Sequence, residues 1–167
     1  MTTREHRNAV KLGTLHPEFL PVAQLLVQRL EITGSRPLIV QARRSLAEQD
    51  ALYAQGRSAP GKIVTNARAG QSWHNFGLAI DLVDLGPNDS YDESDWEATD
   101  YKAWPKLGLG LGLAWGSMWT HPDLPHCEWH PSYGPSDAHL LLPLADETGI
   151  LPEKFFANRG LIGPHER

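Results

Sequence analysis

Gln71-Ser72-Trp73-His74-Asn75-Phe76-Gly77-Leu78-Ala79-Ile80-Asp81 is the stretch from which the rest of the fold can be read. Its second half runs on through Leu82 and Val83 as a short apolar segment, followed by the turn-rich Asp84 to Asp95, and this predicts a central strand over Leu78–Val83. Asp81 interrupts that strand. A carboxylate inside an apolar strand is costly to bury unless it is paired or bound to a metal. His74 lies just upstream, and an imidazole nitrogen and a carboxylate oxygen are both ligands that zinc accepts. Gly77 between them lets the chain turn without a side-chain clash. Two ligands do not make a site, and the place to look for a third is Asp123-Leu124-Pro125-His126-Cys127-Glu128-Trp129-His130.

Upstream of this stretch, Pro37-Leu-Ile-Val-Gln-Ala-Arg43 is short and partly alternating and reads as a strand that delivers Arg43 and Arg44 to its end. Ser45-Leu-Ala-Glu48 matches a capping box that starts a helix closed by Gly56. Arg57 to Gln71 carries no sustained periodicity and is expected to be a long loop, a type usually functional or disordered. Earlier still, Phe19, Leu20, Val22, Leu25, Leu26 and Leu30 recur at helical spacing from His16-Pro17 to Ile32, with Gly34 as the stop. Residues 1–15 show little periodicity and read as an extended arm.

Downstream, a helix is expected near 95–109 despite Pro105. Leu111–Trp119 and Leu124–Trp129 read as two short strands joined through Thr120-His-Pro-Asp123. A hairpin of these two would carry Asp123 and His126 back beside the strand that holds Asp81. Ser136-Asp137 caps a further expected helix through Leu140, Leu141, Leu144 and Ala145, and Pro152 to Asn158 suggests a short last one. No internal repeat or low-complexity segment is apparent.

The chain has 167 residues, enough for one domain with a core that needs no disulfides. Cys127 is its single cysteine, so a multi-cysteine zinc cage is excluded and any metal must be held by His and carboxylate. A net charge of −5 with scattered Lys and Arg argues against a polyphosphate partner. No apolar run approaches the ~20 residues that cross a bilayer. The polar N-terminus lacks the apolar core of a secretory signal, so synthesis is expected to end in the cytoplasm. Trp104, Trp115, Trp119 and Trp129 crowd together with Gly108, Gly110, Gly112 and Gly116, which suits a partly aromatic cleft wall.

Ligation by His74, Asp81 and His126 would leave zinc an open position for water, the arrangement of a catalytic rather than a structural site. Asp123, three residues before His126, is placed to take a proton from that water or, alternatively, to cap a turn. A histidine in a turn, taken singly, is more often a hydrogen-bonded or surface residue than a ligand, and that holds for His74 and His126 alike. Arg44 at a strand end reads either as a surface cation or as a bidentate partner for a substrate carboxylate. Glu128 is a candidate outer partner that orients a ligand. His121 and His130 are expected to be exposed, and Cys127 to be a small buried hydrophobe rather than a nucleophile.

Ser72-Trp-His74-Asn-Phe-Gly77-Leu-Ala79-Ile-Asp81 resembles the S-x-H-x-x-G-x-A-x-D signature of the zinc D,D-carboxypeptidase and L-alanyl-D-glutamate peptidase family. Asp123-Leu-Pro-His126 is similar to its second motif, D-x-x-H. Arg44-Ser45 through Glu48-Gln49 and Leu52-Tyr53-Ala-Gln-Gly-Arg57 resembles the segment before the signature. With Gly112-Leu-Ala-Trp-Gly116 and Trp119, the likeness extends over about residues 14–130, and several motifs in order are more specific than any one.

The D-x-x-H form resembles the endopeptidase branch, which includes phage endolysins, more than the carboxypeptidases with E-x-x-H. The resemblance implies an α+β domain spanning 1–167, with a small, mainly antiparallel sheet carrying one catalytic zinc ion and helices around it, of the D,D-carboxypeptidase and hedgehog-like kind. It implies His74, Asp81 and His126 as zinc ligands, Asp123 as general base, Arg44 as a catalytic contact, and Ser72 and Gln49 as substrate contacts. The implied reaction is hydrolysis of the L-alanyl-D-glutamate bond in peptidoglycan stem peptides by a monomeric phage or prophage lysis enzyme that reaches the wall with holin-type help. D,D-carboxypeptidase activity and a catalytically inactive wall-binding module are the alternatives.

Overall fold

The computed structural model describes residues 2–86, 90–92 and 94–130. The helices expected beyond residue 135 lie outside the described residues. Four antiparallel strands form one sheet in the order β1-β2-β4-β3: β1 Pro37–Gln41, β2 Ala79–Asp84, β3 Leu113–Trp115 and β4 His126–Trp129. Helices α1 Thr3–Leu12, α2 Leu20–Ile32 and α3 Leu46–Ala54, with the short α4 Asp95–Ala98 and α5 Trp104–Leu107, complete an α+β fold. Among the described residues no helix is long and apolar enough to cross a membrane.

The strand predicted from the anchor stretch is central, and its apolar residues explain why. Leu78, Ala79, Ile80 and Leu82 are buried in the main core with Phe19, Ala23, Leu26 and Leu30 of the α2 segment. The α2 residues recur at i, i+4, i+7 and i+11, one face of a helix. Phe19 stacks on Trp129 of β4 with ring centroids 5.9 Å apart, tying the start of α2 to the sheet. Leu38 and Val83 lie directly opposite each other on β1 and β2 and join Leu85 in a second, smaller cluster.

The expected hairpin forms, but its first arm is short. β3 ends at Trp115 because the Gly116 carbonyl accepts from the backbone of Asp123 (3.0 Å) and of Trp119 (3.2 Å), which folds 116–123 into a compact loop. A side chain at Gly116 would run into the Asp123 backbone.

Two expectations are corrected. The N-terminal segment is a helix rather than an extended arm. Thr2 and Glu5 form a reciprocal capping box at its start, and Asn8, its one buried residue, replaces an apolar stripe. The Asn8 amide donates to the Pro37 carbonyl and its carbonyl accepts from the Ile39 N–H, both at 2.8 Å, so α1 covers the free edge of β1. The helix expected near 95–109 is two separate turns. The Thr99 hydroxyl donates to the Asp95 carbonyl (2.7 Å) and accepts from the Asp84 N–H (2.8 Å), so it ties α4 to the end of β2 instead of continuing the helix.

Candidate active site

His74 sits on a 3-10 turn, Trp73–Phe76, that precedes β2. Ser72 caps it, its hydroxyl accepting from the His74 N–H (3.4 Å), and Gly77 ends it in a left-handed conformation with φ 68°. A Cβ on Gly77 would lie 2.9 Å from the backbone nitrogen of His16, so that position needs glycine for both conformation and space. Gly77→Ala is expected to cost at least ~1–3 kcal/mol from backbone strain alone. A lowered denaturation midpoint together with weaker metal binding would show it, because the turn aims His74.

The sheet supplies the other two groups. In the β2–β4 pair Asp81 lies directly opposite His126, and side chains at such positions meet on one face. His74 Nε2 is 3.2 Å from Asp81 Oδ1 and 3.2 Å from His126 Nδ1, and His126 Nδ1 is 3.1 Å from the same Asp81 oxygen. His74 and His126 are buried and Asp81 is half-buried.

The outer nitrogens of both rings are occupied. His74 Nδ1 faces the Ala42 carbonyl at 2.7 Å and donates to it, since a carbonyl can only accept. His126 Nε2 donates to Glu128 Oε2 at 2.9 Å. With those protons committed, His74 Nε2, His126 Nδ1 and Asp81 Oδ1 direct three lone pairs at one point. Those lone pairs belong to the neutral imidazoles, and such a cluster requires a positive charge, supplied either by a further proton on the rings, which then donate to Asp81, or by a metal ion in its place. Burial alone would lower the His126 imidazole, yet its hydrogen bonds to Asp81 and Glu128 outweigh this and raise it to about 10. Burial would likewise raise the Asp81 carboxyl, but the charge of His74 and the hydrogen bonds from both imidazoles hold it well below the usual carboxylate range.

A divalent cation satisfies all three acceptors at once. A tetrahedron with arms of about 2.0 Å has edges of about 3.3 Å, close to the 3.1–3.2 Å separations present here. The donor set, its spacing and the fixed tautomers therefore fit zinc.

Arg44 and Asp123 flank this triangle. The Arg44 backbone N–H donates to the His74 carbonyl (3.0 Å), and its guanidinium Nη2 is 3.8 Å from Asp81 Oδ2. Asp123 is exposed on the loop before β4. Partial withdrawal from water and the charge of Asp81 push its carboxyl pKa up, while His126, His74 and Arg44 pull the other way. Its backbone carbonyl accepts from the His126 N–H (3.2 Å), which sets the residue next to that histidine.

Ser72 and Gln49, expected as substrate contacts, lie in the structure at the cap of the His74 turn and beside Arg44. Gln49 is fully buried in the structure. Its carbonyl accepts from Arg44 Nη1 (2.7 Å) and its amide donates to the Ala67 carbonyl (2.7 Å). It thereby links Arg44 to the long loop, which Arg57 also pins through the Thr65 carbonyl and Asn66.

His121 is exposed as expected, but His130 is buried. Its Nε2 donates to Glu128 Oε1 at 2.8 Å, so Glu128 is an outer partner of His126 with both oxygens in use. Cys127 is fully buried, and that burial pushes its thiol pKa well up, which suits a core residue and not a nucleophile. The pattern His-x-Glu-x-His within a strand was the available sign of the buried relay, since residues at i, i+2 and i+4 share a face.

Residues 65–129, which include every residue of the triangle and Asp123, match the family described as D-alanyl-D-alanine carboxypeptidase. Over 125 residues the chain is 37% identical to the peptidoglycan L-alanyl-D-glutamate endopeptidase CwlK of Bacillus subtilis (strain 168), covering 71% of this chain and 75% of that protein. The chain belongs to this family of peptidases. Its fold is similar to that of the Serratia marcescens L-Ala D-Glu endopeptidase ChiX, with a TM-score of 0.50 and 24% identity over 74% of this chain and 86% of that one. It is also similar to the vancomycin-resistance D,D-pentapeptidase VanY from a VanB-type cassette, solved in complex with Zn(II), with a TM-score of 0.51 and 16% identity over 84% and 83% of the two chains. At these identities the two structures speak for the fold, and the likeness to CwlK speaks for the family.

Proposed function

We propose that this chain is a zinc-dependent peptidoglycan hydrolase that cleaves the L-alanyl-D-glutamate bond of stem peptides. The observation that carries the reading is the triangle of His74 Nε2, Asp81 Oδ1 and His126 Nδ1, with its outer nitrogens committed and Asp123 beside it. The choice of bond is supported by the identity to CwlK and by the D-x-x-H form of the second motif.

His74, Asp81 and His126 would hold the zinc ion, which when bound polarises a carbonyl and lowers the pKa of water toward ~7. Asp123 takes the proton from the water that attacks the alanyl carbonyl and returns it to the departing amine of D-glutamate. Its raised pKa suits both transfers. Arg44, held by Gln49, presents its guanidinium to negative charge on the substrate or on the developing oxyanion. The outer hydrogen bonds to Ala42 and Glu128 keep the two imidazoles aimed during the reaction.

The lysis role of a phage or prophage enzyme, with holin-type passage to the wall, is part of the proposal and is supported by the motif form alone. A single monomeric domain is part of it as well. The family description favours D,D-carboxypeptidase activity as the second reading. Mass analysis of products from defined muropeptides, with zinc and with chelator, separates the two. Cleavage after L-alanine that stops with chelator is the expected result, and free D-alanine without that cut would replace the endopeptidase reading with the carboxypeptidase one.

A further inference from the structure

His126 and Glu128 lie at alternate positions of β4, and His130, just past its end, follows at the same spacing, with its side chain bonded to Glu128 on that face. The backbone N–H of His130 donates to the Gly112 carbonyl at 3.0 Å, which carries the sheet pairing one step past β4 and fixes where the His130 ring begins. All three side chains are buried. Between them the Glu128 carboxylate receives one N–H on each oxygen, from His126 at 2.9 Å and from His130 at 2.8 Å.

A glutamate side chain has three rotatable torsions, and one N–H would leave its carboxylate free to turn. The second donor removes that freedom. The orientation matters because Glu128, directly opposite Ala79 in the β2–β4 pair, is the hydrogen-bond partner of a ligand histidine. Turned away from His126 Nε2, it would release the tautomer that leaves Nδ1 bare. His130 is itself held by its neighbour: its ring stacks on Trp73 with centroids 4.5 Å apart and planes 23° from parallel. Trp73 directly precedes His74 on the 3-10 turn.

We propose that His130 is a positioning residue for the metal site, holding Glu128 so that its carboxylate accepts the His126 Nε2 proton and leaves His126 Nδ1 to the metal. The inference rests on the zinc reading above and adds to it the residue that sets the ligand's tautomer. The stack on Trp73 orients the His130 ring for this task and joins the element that carries His74 to the one that carries His126.

Two variants separate the donor from the bulk of the ring. His130→Phe keeps a ring against Trp73 and removes the N–H, whereas His130→Gln keeps an N–H donor and removes the ring. Zinc affinity of the purified chain is measured by competition with a chromophoric chelator, alongside melting in chelator and exchange of the His126 Nε2 proton in the zinc-loaded chain by NMR. His130→Phe is expected to weaken zinc binding about 10–100-fold, the range seen for outer partners of metal ligands, and to speed exchange of that proton. His130→Gln is expected to recover most of both. Unchanged affinity and exchange in His130→Phe, or equal loss in the two variants, would overturn the inference while wild-type zinc binding stands. A wild-type chain that binds no zinc would overturn the metal reading and this inference with it.

Discussion

Asp123→Ala is expected to lower kcat/KM by about 10²–10⁴-fold, the range for loss of a general base, while the chain still binds zinc stoichiometrically. The separation of the two effects follows from how the loop is held. Asp123 is fixed through its backbone, which donates to the Gly116 carbonyl (3.0 Å) and accepts from the His126 N–H (3.2 Å). Truncating the side chain leaves both bonds and leaves the β2–β4 register that sets Asp81 against His126. What is lost is a carboxylate whose pKa is raised by withdrawal from water and by Asp81, and which therefore accepts a proton more readily than an ordinary aspartate. Zinc content and kinetics on a defined muropeptide check the two halves. Full hydrolysis in a zinc-loaded Asp123→Ala chain would assign the proton transfer to another group. Glu128 is poorly placed for that role, because it is buried and its two oxygens already accept from His126 and His130.

The parts of the fold that sequence reading anticipated are those where an apolar period or a cap is written locally. The α2 stripe, the capping box at Ser45 and Glu48, and the run containing Ile80 and Leu82 each specify an element without help from distant residues. The site triad was legible for a related reason. Asp81 is conspicuous as a carboxylate in an apolar strand, and the hairpin follows from the chain segments on either side of Thr120. The failures arise where a tertiary contact decides. Helix α1 lacks an apolar face because a single amide, Asn8, bonds to the edge of β1. The turn at α4 ends because Thr99 bonds to the end of β2. His130 was expected in water because a histidine after a tryptophan near a strand end carries no burial signal alone, and only its pairing with Glu128 shows its place. Gln49 is a similar case, since a glutamine on a helix beside Arg44 does not reveal which side it turns to.

Replacing either ligand histidine is expected to have a larger effect on the metal than any outer substitution, with His74→Ala and His126→Ala each losing zinc to background after dialysis and losing hydrolysis with it. Each change leaves two of three acceptors, and the weakening should exceed the ~10–100-fold typical of outer partners. The two variants should differ when metal is chelated. His74→Ala leaves the Ala42 carbonyl without its imidazole donor, a loss of about 1–3 kcal/mol for an unsatisfied buried group. His126→Ala removes one of the two donors that compensate the buried Glu128 carboxylate, and with it the group that holds its pKa lowest. Removing one partner of a buried charge costs about 3–5 kcal/mol when nothing else remains, and His130 retains part of that compensation. The denaturation midpoint in chelator should therefore fall further for His126→Ala than for His74→Ala, although both lose zinc alike. A larger fall for His74→Ala would mean that Glu128 is sustained mainly by His130, and retention of zinc by either variant would place the metal on a different set of ligands.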